Sequence, residues 1–170
     1  MRADIQGIAS IELACGLAEE VVRTFGEVRL RVIGTSMVPS VLPGDLISIR
    51  RASLHEVSPG EVVLFLQNKR LVIHRVVDRK VVAMAGGSEE PCLITRGDRV
   101  RQEDPPVSSS ELLGRVVSIE RDNRKVELLA TGLNRPIARL LQSSDRVTSL
   151  YLRLAACWRT IFLRGTKCRA

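Results

Sequence analysis

Between residues 28 and 130 the apolar residues come in short runs broken by proline, glycine and polar turn formers, at 46–49, 61–66, 70–77, 81–85 and 112–119. Runs of that length, so closely spaced, suit strands and predict a compact, mainly β, antiparallel domain. Val28, Leu30 and Val32 alternate with Arg29 and Arg31, the period of a half-buried strand. Arg121-Asp122-Asn123-Arg124 reads as a hairpin turn into a last run at 126–129. The ends are helical. Ile8, Ile11, Ala14, Ala18, Val22 and Phe25 recur at three- and four-residue steps, predicting an amphipathic helix over 8–25 that Gly26 ends and Cys15 helps to pack. Past Thr131-Gly132, Pro136 suits a first helical turn. Val147, Leu150, Tyr151, Leu154, Trp158, Ile161 and Phe162 then form a stripe over 146–164, with Arg153, Thr160 and Arg164 opposite. The expected organisation is an N-terminal helix (1–27), a β domain (28–130) and a basic helical tail (131–170).

Charge divides the chain the same way. Residues 1–129 carry 18 basic and 18 acidic side chains, which cancel, so the whole +7 excess lies beyond them, where eight basic residues face only Asp145. Aromatic residues make up 3%, which leaves the core to Val, Leu and Ile and removes the stacking platforms a single-strand nucleic-acid binder needs. No nucleic-acid partner is expected. Cys15, Cys92, Cys157 and Cys168 form no CxxC pair and no zinc-spaced cluster with histidine, so neither metal, disulfide nor other cofactor is expected. Asp4, Glu12, Glu19 and Glu20 interrupt the first 25 residues, unlike a secretory leader, and no 18-residue apolar run offers a spanning helix. The expected location is the cytoplasm or a membrane periphery. In the second case the 146–164 helix would lie on anionic lipid, where each Lys or Arg contributes about 1 kcal/mol. The competing expectation packs that stripe on the β domain or on the first helix.

Three segments carry chemistry. Gly34-Thr35-Ser36-Met37-Val38-Pro39-Ser40 puts a serine in a small-residue turn after a strand, where a carbonyl substrate can approach and backbone N–H groups can face an oxyanion. His74 alternates onto the same strand face as Val72 and Val76, a candidate general base against an apolar wall. His55, in Ser53-Leu54-His55-Glu56, reads as solvated surface. Asp98 and Asp104, in a charged loop before Pro105-Pro106, are candidates to orient a histidine through its second ring nitrogen.

In their order, these segments resemble the type I signal peptidases, specifically the archaeal and endoplasmic-reticulum branch that uses Ser-His-Asp where most bacterial members use Ser-Lys. Ser36-Met37-Val38-Pro39-Ser40 is similar to the serine box, with Gly44-Asp45 at the following Gly-Asp. Pro59-Gly60-Glu61-Val62-Val63, His74-Arg75-Val76-Val77, Thr95-Arg96-Gly97-Asp98 and Leu113-Gly114-Arg115-Val116-Val117 resemble the later boxes. The resemblance covers about residues 30–120. It implies a signal-peptidase-like β domain, Ser36 as nucleophile, His74 as base, Asp104 fixing its tautomer and Asp98 as a supporting carboxylate near it. Arg75 would brace the strand or a carboxylate. The implied partner is a peptide or protein substrate of leader type, cut after small residues.

Gly34 departs from the family, which places a serine there to help bind the oxyanion. Loss of one such donor costs about 10²–10³ in rate, and the hole would rest on backbone N–H groups with help from Thr35. An amphipathic helix stands where the family has a spanning anchor, and the short chain has little room for the family's second β domain. Two alternatives stand beside the peptidase. One is a catalytically weak or inactive binding module. The other is a self-cleaving repressor-type peptidase, against which stand His74 in place of a lysine and too short a leading segment for a helix-turn-helix.

Overall fold

The computed structural model describes residues 2–83 and 89–126, and side chains at 13, 15–83 and 89–126. The tail 131–170 with its stripe, Cys157 and Cys168, and the ends of the runs at 81–85 and 126–129 lie outside the described residues. Strand β1 (Glu27–Arg31) follows helix α1 (Arg2–Phe25), and β2 (Leu46–Arg51), β3 (Val62–Gln67), β4 (Arg70–Ala83), β5 (Glu89–Arg96), β6 (Leu112–Arg121) and β7 (Arg124–Val126) complete one mainly β fold. The strands form a single sheet in the order β1-β2-β6-β3-β4-β5, with β7 beside β6, and every ladder is antiparallel.

Helix α1 ends as its sequence dictates. Gly26 takes φ +78 and donates its N–H to the Val22 carbonyl at 3.0 Å, a left-handed cap that only glycine adopts freely. Ala18 and Val22 are buried and Cys15 is half-buried beside them. Phe25, expected in the packed stripe, is instead 75% exposed, because the chain turns at Gly26 directly into β1 and leaves that ring outside the bend. Arg51 ties the turn down from β2, with its N–H on the Gly26 carbonyl (2.7 Å) and its guanidinium on the Arg23 carbonyl (3.0 Å).

Two hairpins close on two-residue turns with both central residues at positive φ, as the right-handed twist of paired strands prefers. Asn68 and Lys69 (φ 50 and 60) join β3 to β4, and Asp122 and Asn123 (φ 51 and 60) join β6 to β7. One expectation changes here, and one strand was not foreseen. The run at 70–77 and the described part of the run at 81–85, residues 81–83, belong to one continuous strand, β4, whose register slips once between Val76 and Asp78. Strand β5, rich in charge at its start and holding Pro91, has no alternating signature; it ends the strand order, and its outer edge meets only an isolated bridge, Leu93 with Val107.

Both faces of the sheet centre are covered. Val62 and Leu64 of β3 point into one core with Val22, Ile47, Ile49, Leu113, Val116 and Ile119. Val63 and Phe65 point into a second, with Leu54, Val57, Val76, Leu93 and Val107. That explains why 62–65 is an uninterrupted apolar run: a strand buried on both faces has no solvent side to mark with polar residues.

Candidate active site

The serine segment is a closed loop. Val32 donates to the Asp45 carbonyl (2.9 Å) and accepts from the Gly44 N–H (2.7 Å), pinning residues 33–44 at the neck. Met37, Val38, Val41 and Leu42 are buried, so the loop folds inward on its own apolar side chains, with a cis Val38–Pro39 peptide. Ser36 sits near its start. The Ser36 carbonyl accepts the Arg99 N–H at 2.9 Å, which brings the loop after β5 against it.

His74 arrives from β4. It pairs in register with Val63 and faces the second core beside Val72 and Val76, the face expected from alternation. Its ring meets Phe65 edge-on, with centroids 6.2 Å apart at 63°. The Nε2 atom lies 3.0 Å from Ser36 Oγ, and Nδ1 lies 2.6 Å from Asp104 Oδ2. The tautomer with its proton on Nδ1 satisfies both contacts at once: Asp104 accepts, and Nε2 is left to accept from the serine hydroxyl. Asp104 is itself held, its Oδ2 accepting the Thr95 hydroxyl at 2.7 Å and its N–H donating to the Thr95 carbonyl at 2.9 Å.

The structure therefore brings Ser36, His74 and Asp104 into one hydrogen-bonded line. It does not bring Asp98 to the histidine. Asp98, expected as a supporting carboxylate near His74, is gripped by Arg75, Nε to Oδ1 and Nη2 to Oδ2, both at 2.8 Å. Arg75 follows His74 on the strand, so alternation sends its side chain to the opposite face. There it also reaches the Gly60 carbonyl (2.7 Å) and the Ser40 hydroxyl (3.3 Å). His55 is exposed on a single 3-10 turn, Leu54–Glu56, with its ring 3.3 Å from the Ser53 hydroxyl. Cys92 is buried in β5, and burial, aided by Glu90 and Glu111, raises its pKa. Among the described residues no cluster of His, Cys, Asp and Glu could hold a metal ion, and no helix is long and apolar enough to cross a membrane.

Two contributions are invisible in residue types alone. Thr95, fully buried, anchors the carboxylate that anchors the histidine. Gly97 leaves the space in which Ser36 and His74 meet: a Cβ there would stand 2.8 Å from the Ser36 carbonyl and 3.0 Å from Nε2. Both lie inside Thr95-Arg96-Gly97-Asp98, a segment in which the sequence singled out only the aspartate. Gly34 is the reverse case, with no positive φ and nothing within 4 Å of an added Cβ. Thr35 directs its hydroxyl oxygen to Arg99, accepting from Nη1 at 3.1 Å.

Over residues 4–84 the chain matches the family model described as Peptidase S24-like. No curated protein matches it. The matched stretch is just under half of the chain, includes Ser36 and His74 and stops before Asp98 and Asp104. It supports a serine-peptidase-like function on a β-rich domain and is equally compatible with a self-cleaving relative.

Proposed function

We propose that this chain, whose N-terminal half is similar to a peptidase S24-like domain, is a serine endopeptidase acting through Ser36, His74 and Asp104. The observation that carries the reading is the Asp104–His74–Ser36 line, at 2.6 and 3.0 Å. His74 Nε2 takes the hydroxyl proton as Ser36 Oγ bonds to the scissile carbonyl carbon, and Asp104 stabilises the imidazolium that forms. The same proton then passes to the leaving amine as the C–N bond breaks, leaving an acyl-serine. Water repeats the sequence and frees the serine. The Ser36 backbone N–H is the donor this reading assigns to the oxyanion, and with glycine at position 34 no side-chain hydroxyl joins it from there. The substrate is a peptide or protein of leader type with small residues before the cut, as the signal-peptidase resemblance implies. The test is labelling by a fluorophosphonate, followed by hydrolysis of a peptide library with small residues at the cleavage point. Ser36→Ala should abolish both, and removal of His74 should lower kcat about 10⁴-fold or more, since such groups act as one unit. Hydrolysis surviving in purified Ser36→Ala defeats the reading.

The peptidase S24-like match gives a second reading, cleavage of the chain by its own serine. Mass spectrometry of the purified protein separates the two. Self-cleavage yields two fragments at a rate independent of protein concentration and absent from Ser36→Ala, whereas an endopeptidase acting in trans leaves the chain whole.

A further inference from the structure

The loop that carries Ser36 is locked at its far end by an ion pair whose carboxylate is buried and whose guanidinium is half-buried. Asp45 is fully buried, and its carboxylate receives Arg121 as a fork, Nε on Oδ1 at 2.9 Å and Nη2 on Oδ2 at 2.7 Å. The Leu42 N–H adds a third bond to Oδ2 at 2.8 Å, so the carboxylate holds two points of the loop against each other. Arg121 is the last residue of β6, 76 positions away in sequence. Its Nη2 also reaches the Ser40 carbonyl at 3.5 Å, while the hydroxyl of Ser40 accepts Arg75 from β4 at 3.3 Å. Ser40 thus stands between two guanidinium groups. One belongs to the strand that carries His74, the other to the strand that joins the two parts of the sheet.

A planar fork on a carboxylate fixes direction as well as distance, which a lysine ammonium on the same stem does not. Nucleophile and base must be held within about 0.5 Å for proton transfer and attack to coincide. We propose that Arg121 is a positioning residue for Ser36, acting through Asp45 and Ser40 to set the loop so that Ser36 Oγ meets His74 Nε2. This rests on the reading of Ser36 as the nucleophile. Arg121 touches no reacting atom, so its removal should lower kcat and leave KM alone.

The test compares wild type, Arg121→Lys and the uncharged double variant Asp45→Asn/Arg121→Gln, each checked for folding by circular dichroism and melting. Three quantities are read: the rate of Ser36 labelling by a fluorophosphonate, kcat and KM on a hydrolysed peptide, and hydrogen exchange of the backbone N–H groups within 36–42, Pro39 having none. The expected result is a folded Arg121→Lys protein with labelling and kcat at least tenfold lower, KM within twofold, and faster exchange confined to the loop. A folded variant that labels at the wild-type rate overturns the proposal. So does failure of both variants to fold, which assigns the pair to the fold alone. If wild type shows no labelling that Ser36→Ala removes, the peptidase reading fails instead, and exchange decides for Arg121. Unchanged protection at 36–42 then overturns its role, and selective loss of protection upholds it.

Discussion

Gly97→Ala inserts a single methyl between the two groups whose contact defines the site. The new Cβ would stand 2.8 Å from the Ser36 carbonyl oxygen, 3.0 Å from His74 Nε2 and 3.1 Å from Ser36 Cβ. Ordinary contacts begin at 3.4 Å, so the worst overlap is about 0.6 Å, and it falls on backbone, which cannot swing aside as a long side chain would. Gly97 has no positive φ, so alanine suits its conformation and the strain is steric alone. If the overlap is relieved between loop and strand, the 3.0 Å separation of Ser36 Oγ and His74 Nε2 opens to roughly 3.6 Å, beyond hydrogen-bond reach. A full 1 Å misplacement removes on the order of 10² in rate, so this one should remove about 10- to 100-fold, or roughly 1.4–2.7 kcal/mol of barrier. The cost in stability should be smaller, about 1 kcal/mol, as for other modest overpacking. The assay is the rate of Ser36 acylation by a fluorophosphonate beside a thermal melt, with Gly34→Ala as the unhindered control. A folded Gly97→Ala protein that acylates at the wild-type rate would refute the steric argument.

The carboxylates should separate cleanly. Asp104→Asn and Thr95→Val should lower kcat, the first by about 10⁴ because the wrong tautomer is favoured, the second by a smaller factor. Asp98→Asn should act mainly on the melting temperature through Arg75, and the reverse ranking in a pair of kcat and melting measurements would exchange the two roles. Gly34→Ser should fold normally and keep or raise kcat, since a side chain there meets nothing; a strongly impaired but folded variant would show a hole built around glycine. Cys92 in the native protein should resist maleimide at pH 7–8 until the protein unfolds, because burial keeps it protonated. The linked sign follows: the unfolded thiol loses its proton first as pH rises, so this group lowers stability above its unfolded pKa, and mapped labelling of Cys92 as fast as a free thiol would contradict it.

What could be read from the sequence followed from short-range chemistry. The α1 stop, the β6–β7 turn and the alternation that faces His74 inward each depend on a few adjacent residues, and each stands as expected. The continuity of β4 through 78–81 did not show, because Asp78, Arg79 and Lys80 at the register slip are exposed and charged and split the apolar pattern in two. Strand β5 was silent for the same reason at its start. The order of the segments pointed to Ser36, His74 and Asp104, but the partner of Asp98 depends on which face Arg75 takes, and a list of charged residues does not convey that. The Asp45–Arg121 pair could not be read at all. It joins residues 76 apart that neither periodicity nor composition links.

The sheet order has a consequence for synthesis. Ser36 hangs from β1 and β2, whereas His74 and Thr95 belong to β3, β4 and β5, and within the described sheet β6 alone pairs with both parts. Leu46 meets Glu120 and Val63 meets Arg115, partners that leave the ribosome long after the strands they complete. Such distant pairings form slowly. A nascent chain that has reached only residue 111 holds Ser36 and His74 on two strand groups with no ladder between them. On the proposed reading, the Ser36–His74 contact should mature only once β6 has been made, which would keep the serine of a growing chain unarmed beside its own unfolded segments.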